Sequence, residues 1–222
     1  MSESADIPRG NAQFDGAEAA AEFGYFDPNQ PIAELHGSLP HWRQSAVTYF
    51  VTFRLADSLP QVKLDQWRRE REDWLRRHPE PRSPAVRRDY FERFVARFHR
   101  WLDAGYGECV LIRPEVRDIL VDALKHFDAQ RYALGDWVVL PNHAHALVTP
   151  LGDVELSKVL HTWKSYSASE INRLLGRRGQ LWQKESFDHI VRSPEAAERI
   201  RQYIRTNPAG LPPGSYSLSS LK

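Results

Sequence analysis

The chain has 222 residues, 41% hydrophobic and 27% charged, with a formal net charge of +1 and a single cysteine. These values fit one sizeable globular domain with appendages and leave no internal disulfide, which suits a reducing cytoplasm. No apolar run is long enough to cross a bilayer, and the acidic first residues lack the basic and apolar blocks of a secretory signal.

Residues 1–38 set Glu3, Asp6, Asp15, Glu18, Glu22, Asp27 and Glu34 against Arg9 alone. With no periodicity, they read as an acidic, flexible or loosely docked arm. The main domain is expected over 39–215, with a tail at 216–222. Ala46 to Leu55 alternates Val47, Tyr49, Val51 and Phe53 with Thr48, Phe50, Thr52 and Arg54, the pattern of a central strand. Gln61–His78 and Ser83–Ala104 follow helical spacing and are broken at Pro79-Glu80-Pro81, so about 61–104 reads as an arginine-rich helical insertion. Cys109 reads as a packing residue. Pro114 opens another helix. Tyr132–Leu140 and His143–Pro150 are two strands joined through Pro141-Asn142, and Leu156–Leu175 is a helix closed by Gly176. Leu181–Val191 reads as the last strand, and Arg199–Asn207 as the last helix, after a cap at Ser193-Pro194. Without the insertion this order is an α+β split βαβ arrangement, a four-stranded antiparallel sheet with helices on one face.

Two of these elements carry candidate chemistry. His143 and His145 flank Ala144 on a strand, so both imidazoles leave one face, as a metal pair would; a hydrogen-bonded core role is the plain alternative. Tyr203 and Asn207 lie four residues apart and share a helical face that could meet the histidines across a cleft. Tyr166, with Glu170 four residues on, is a rival nucleophile, but its neighbours suit packing. Basic excess from Lys63 to Arg100 and from Lys158 to Arg205 suits a polyanion, although the first block also reads as a solvated, salt-bridged face. Lys158, Lys164, Arg177, Arg178, Lys184 and Arg192 are candidate phosphate contacts, and Trp182 a candidate for stacking on a base or, alternatively, for the core.

Four ordered segments resemble a known family: Val139-Leu140-Pro141-Asn142-His143-Ala144-His145, Gly179-Gln180-Leu181-Trp182-Gln183, His189-Ile190-Val191-Arg192, and Tyr203-Ile204-Arg205-Thr206-Asn207-Pro208-Ala209-Gly210-Leu211. Together they are similar to the single-tyrosine HUH transposases, in particular the REP-associated tyrosine transposases, over roughly residues 40–211. The resemblance implies a ferredoxin-like sheet, a divalent metal (Mg or Mn) on His143, His145 and Asn207, and Tyr203 as nucleophile. It implies cleavage and strand transfer on single-stranded or hairpin DNA through a 5′-phosphotyrosine, with a monomer favoured over a dimer. Two departures stand out: relatives commonly carry two more residues between the Asn-Pro and the Ala-Gly-Leu, and the insertion is not part of the minimal domain. A non-catalytic nucleic-acid-binding sheet and a water-using phosphoesterase are the competing readings.

Overall fold

The structure is a computed structural model that describes residues 24–30, 33–36 and 40–219. The expected arm at 1–38 therefore lies mostly outside the described residues. Its later part is not structureless: Ala33–His36 (β1) pairs with Pro40–Arg43 (β2), and the Phe26 amide donates to Val191 O.

The central strand runs over Tyr49–Arg54 (β3). The insertion follows as Gln61–Arg77 (α1), Pro84–Tyr90 (α2), a π-helical turn at Phe91–Ala96 and Arg97–Asp103 (α3). Gly107 turns the chain back at φ +91°, where a Cβ would sit 2.7 Å from Asp57 O. Pro114–Lys125 (α4), Tyr132–Val139 (β4), His143–Pro150 (β5) and Leu156–Leu174 (α5) sit close to their expected bounds. Phe187–Ile190 (β6), Pro194–Thr206 (α6) and Ser217–Leu218 (β7) complete the chain.

All neighbours in the sheet are antiparallel, in the order β6-β3-β5-β4-β7. Five strands replace the expected four because the segment read as a tail adds β7 to the edge of β4. Arg117 holds it there, donating to Ser217 Oγ and Gly214 O while its other nitrogen caps Leu111 O and Ile112 O. The expected strand from Leu181 is shorter. Leu181 and Trp182 turn into the core, Trp182 makes only an isolated bridge to Leu55, and the following carbonyls are taken by Lys164.

Alternation sorts the sheet into two faces. Tyr49, Val51 and Phe53 of β3 and Ala144, Ala146 and Val148 of β5 pack against α4 and α5, around the fully buried Trp163. Phe50 of β3 and Leu147 of β5 face the other way, under Ala197 and Ile204 of α6. The helices thus cover both faces, with α4 and α5 on one and α6 with the insertion on the other. Tyr49, Phe50 and Phe53 are all buried, so β3 offers no exposed aromatic platform of the kind an RNA-binding sheet uses.

Candidate active site

Register places the site. Thr52 lies opposite His145 and Arg54 opposite His143, so β3 and β5 present four polar side chains on the face that α6 covers. Both histidines are buried. The amide nitrogen of Asn142 donates to Leu102 O (3.2 Å) and Tyr106 O (3.0 Å), which leaves its Oδ1 to accept from His143 Nδ1 at 2.7 Å. His143 therefore keeps its proton on Nδ1, and its Nε2, buried and without a hydrogen-bond partner among the described residues, carries a lone pair. His145 Nδ1 is bonded to Thr52 Oγ1 at 2.7 Å, and its Nε2 faces Tyr203 Oη at 3.3 Å.

Helix α6 brings Tyr203 to this point. Ser193 caps the helix by accepting from Ala196 N, and Ala197 and Ile204 anchor its inner face. Asn207 ends it one turn beyond Tyr203, with its amide N–H on Tyr203 O at 2.8 Å. Its side-chain amide favours the charged form of both the Tyr203 phenol and the Asp103 carboxyl, opposing the effect of burial on each. Tyr203 thus lies against His145, with Asn207 one turn further along the same helix.

Two further residues come from the insertion and were not picked out in the sequence. Asp103 Oδ1 stands 3.6 Å from His143 Nε2. His99, one turn earlier on α3, stacks on Tyr203 (centroids 5.9 Å apart, 21° between planes) and meets His145 edge-on at 5.5 Å. Their four-residue spacing on a helix was the available signal; nothing local says that α3 docks here.

Electrostatics follow from burial. Desolvation, then the neighbouring His99 and Arg54, lower the His143 pKa to about 3, and desolvation lowers His99 to about 4. His145 is likewise pushed well below its ordinary value by burial and then by the other two histidines. The imidazoles are thus neutral near pH 7, the form that ligates a metal. Burial pushes the Tyr203 phenol well above its ordinary value and the Asp103 carboxylate adds to this, while the Asn207 hydrogen bond opposes it. Asp103 itself is raised by burial.

Among the described residues, no three His, Cys, Asp or Glu side chains form a metal-holding group. The donor set still fits the implied ion: two neutral imidazoles with Nδ1 held by partners, an orphaned Nε2, and the side-chain amide of Asn207 as an oxygen donor suited to Mg or Mn.

The predicted DNA contacts divide. Lys158, Arg178, Lys184 and Arg192 are exposed. Arg177 is paired with Glu108 at 2.8 Å, and Lys164 donates to Gln183 O, Lys184 O and Ser186 Oγ, so both serve the fold. Trp182 is not a stacking surface: it is 4% exposed, its indole donates to Ser167 Oγ at 3.0 Å, and its ring meets Phe53 edge-on. Tyr166 is exposed on α5 and absent from the cluster around His145.

No curated protein matches the chain in sequence. Two solved structures are similar: a REP-associated tyrosine transposase bound to a REP hairpin, at 16% identity over 78% of this chain and 74% of that one with a TM-score of 0.40, and a candidate transposase from Deinococcus radiodurans R1, at 14% identity over 74% and 93% with a TM-score of 0.33. The family model of IS200-like transposases matches residues 109–207. That segment, a little under half of the chain, holds α4, β4, β5, α5, β6 and α6 with His143, His145, Tyr203 and Asn207, and over it the chain is similar to the IS200-like transposases.

Proposed function

We propose that this protein nicks and rejoins single-stranded or hairpin DNA through a covalent 5′-phosphotyrosine on Tyr203. The observation that carries the reading is Tyr203 Oη 3.3 Å from His145 Nε2, with Asn207 one turn beyond it, beside two buried, neutral histidines. In the forward step the Tyr203 oxygen bonds to the scissile phosphorus and the bond to the 3′ oxygen breaks. The phenol loses its proton, and the departing oxygen takes one up as a free 3′-OH. Attack of a 3′-OH on the phosphotyrosine reverses the exchange and joins strands, so no nucleotide cofactor enters the balance.

His143, His145 and Asn207 would hold the divalent ion, whose charge would stabilise the anionic phosphate and favour the phenolate. The remaining work falls to this chain. Phe50 stacks beneath His145 at 5.3 Å and His99 stacks on Tyr203, which fixes both rings before substrate arrives. Burial and the Asp103 carboxylate disfavour the phenolate, so a cation held beside Tyr203 would assist its attack.

The test is to incubate labelled single-stranded and hairpin oligonucleotides with Mn and trap the protein-linked product. Tyr203→Phe keeps the ring and its packing and should bind DNA while forming no adduct. An adduct mapped to Tyr166, or wild-type cleavage by Tyr203→Phe, overturns the reading. Cleavage with no covalent product favours the water-using phosphoesterase.

A further inference from the structure

A cavity of about 310 Å³ lies between the insertion and the sheet, bounded by α1, the π turn, α3, β3 and the segment leading into β6. Arg54, Arg68 and Lys184 supply cations; Trp67, Phe98 and Phe187 supply aromatic faces; Glu72 and Glu185 supply acceptors. This volume lies at the small end of ligand sites, about 300–1,000 Å³, and the mixture of planar aromatic, cationic and accepting groups is that of a nucleotide pocket.

Two observations indicate that the cavity is built for an anionic guest. Arg54 is buried at 8% exposure, and no carboxylate pairs with it among the described residues. Its Nη1 donates to Ser58 Oγ, its guanidinium lies 5.6 Å from the Phe98 ring centre, and its charged neighbour is another cation, Arg68. A guanidinium held in this way lacks a counter-ion, and burying it without one is costly unless an anion joins it. The second observation is His99 Nε2, which is buried without a hydrogen-bond partner in a residue that lines the same cavity.

The cavity also shares its wall with the reactive centre. Thr52 lines it and bonds His145 Nδ1, and His99 lines it and stacks on Tyr203. A strand with its phosphate at Tyr203 would therefore set an adjoining nucleotide at this opening.

We propose that the cavity between α1, α3 and the sheet receives one unstacked nucleotide of the DNA strand beside the scissile phosphate, its phosphate on Arg54 and Arg68 and its base among Trp67, Phe98 and Phe187. This rests on the DNA-cleaving reading and adds to it a substrate-selecting role for the insertion. The exposed Lys184 and Arg68, the latter beside Asp65 at 3.6 Å and so beyond hydrogen-bond distance of it, draw the strand in, and the aromatic rings distinguish a base from bare sugar-phosphate.

The experiment uses the full chain with Tyr203→Phe, so that binding is measured without turnover. Anisotropy compares a short oligo(dT) with a length-matched abasic strand, and the same oligo(dT) carrying thiothymidine is photo-crosslinked and mapped by mass spectrometry. Crosslinks on Trp67, Phe98 or Phe187, and preference for oligo(dT) over the abasic strand that falls about tenfold in Phe187→Ala, are expected. Arg68→Gln should weaken both strands alike, because it removes a phosphate contact and not a base contact. Neither substitution touches the fully buried core, and a far-UV circular dichroism melt of each variant checks the fold. Equal binding of the two strands, crosslinks confined to residues outside the cavity, or stronger binding of free thymidine monophosphate than of the strand overturns the proposal. The cleavage reading fails on a different signal, absence of a phosphotyrosine on wild-type Tyr203, so the two failures are separable.

Discussion

At the residue scale, the chemistry of the site is set by what holds each imidazole. A histidine that must offer Nε2 to a cation needs its Nδ1 engaged, and here Asn142 and Thr52 engage the two Nδ1 atoms. Thr52→Val keeps the shape of the β3 side chain and removes that hydroxyl. It should weaken Mn binding about ten- to a hundredfold by calorimetry while leaving the fold intact, and unchanged affinity would show that His145 is oriented by packing alone. The same burial makes the metal-free protein sensitive to acid. The ordinary histidine pKa is near 6.5, and His143 is lowered to about 3 and His99 to about 4. Between those values and pH 6.5 the unfolded chain binds more protons than the folded one, so stability rises with pH there and is lost on acidification. His143 alone contributes a slope of about 1.4 kcal/mol per pH unit in that window. Chemical denaturation of the metal-free chain should show stability flat above about pH 6.5 and declining below it; a profile level down to about pH 5 would mean that the histidines are more hydrated than their burial indicates.

At the element scale, α6 matters because it carries Tyr203 to His145 of β5, with Asn207 one turn further on. Its start is fixed by Ser193, and its inner face by Ala197 and Ile204. Ser193→Ala should cost about 1 kcal/mol in thermal or denaturant unfolding and slow adduct formation by loosening the first turn, without altering DNA affinity. Loss of DNA affinity instead would place the helix start in the binding surface. The same elements show what was legible in the sequence. Period-two and helical spacing located β3, β4, β5 and α5 closely and the Asn-Pro signal located the end of α6, since each signal is local, whereas α6 starts at Pro194, directly after the Ser193 cap, and not at Arg199. The strand expected from Leu181 failed because alternation does not report that Lys164 captures the Gln183 and Lys184 carbonyls. The edge strand β7 was missed because Ser217 and Leu218 carry no strand pattern, and what fixes them is Arg117, one hundred residues away in sequence from Ser217. The approach of Tyr203 to His145, and of His145 to His143, could be read because two short spacings converge on it. The contacts of Asp103 and His99 with these residues could not, since they depend on where the insertion docks.

At the scale of the whole molecule, a net charge of +1 conceals how the cations are used. Arg97 pairs with Glu70, Arg93 with Asp89 and Arg82 with Glu80, so much of the insertion's positive charge is neutralised at its own surface. Arg177 and Lys164 are likewise committed to Glu108 and to backbone carbonyls. Lys158, Arg178 and Lys184 remain exposed, with no ion pair among the described residues, on α5 and the segments that follow it. A polyanionic strand releases counter-ions only where it meets cations of this second kind, and each phosphate neutralised contributes about 0.7 to the slope of log affinity against log salt for a single strand. Replacing Lys158, Arg178 or Lys184 with Gln should therefore flatten the salt dependence of oligo(dT) binding by about 0.7 each if the strand contacts that residue. Arg177→Gln should leave the slope unchanged and lower stability slightly, because its charge is already spent on Glu108. If Arg177→Gln flattens the slope as much as Lys184→Gln, the ion pair opens on binding and the DNA path crosses the turn after α5; if none of the four changes it, the strand runs over the other face of the insertion and the basic segment from Lys158 to Arg192 is solvated surface.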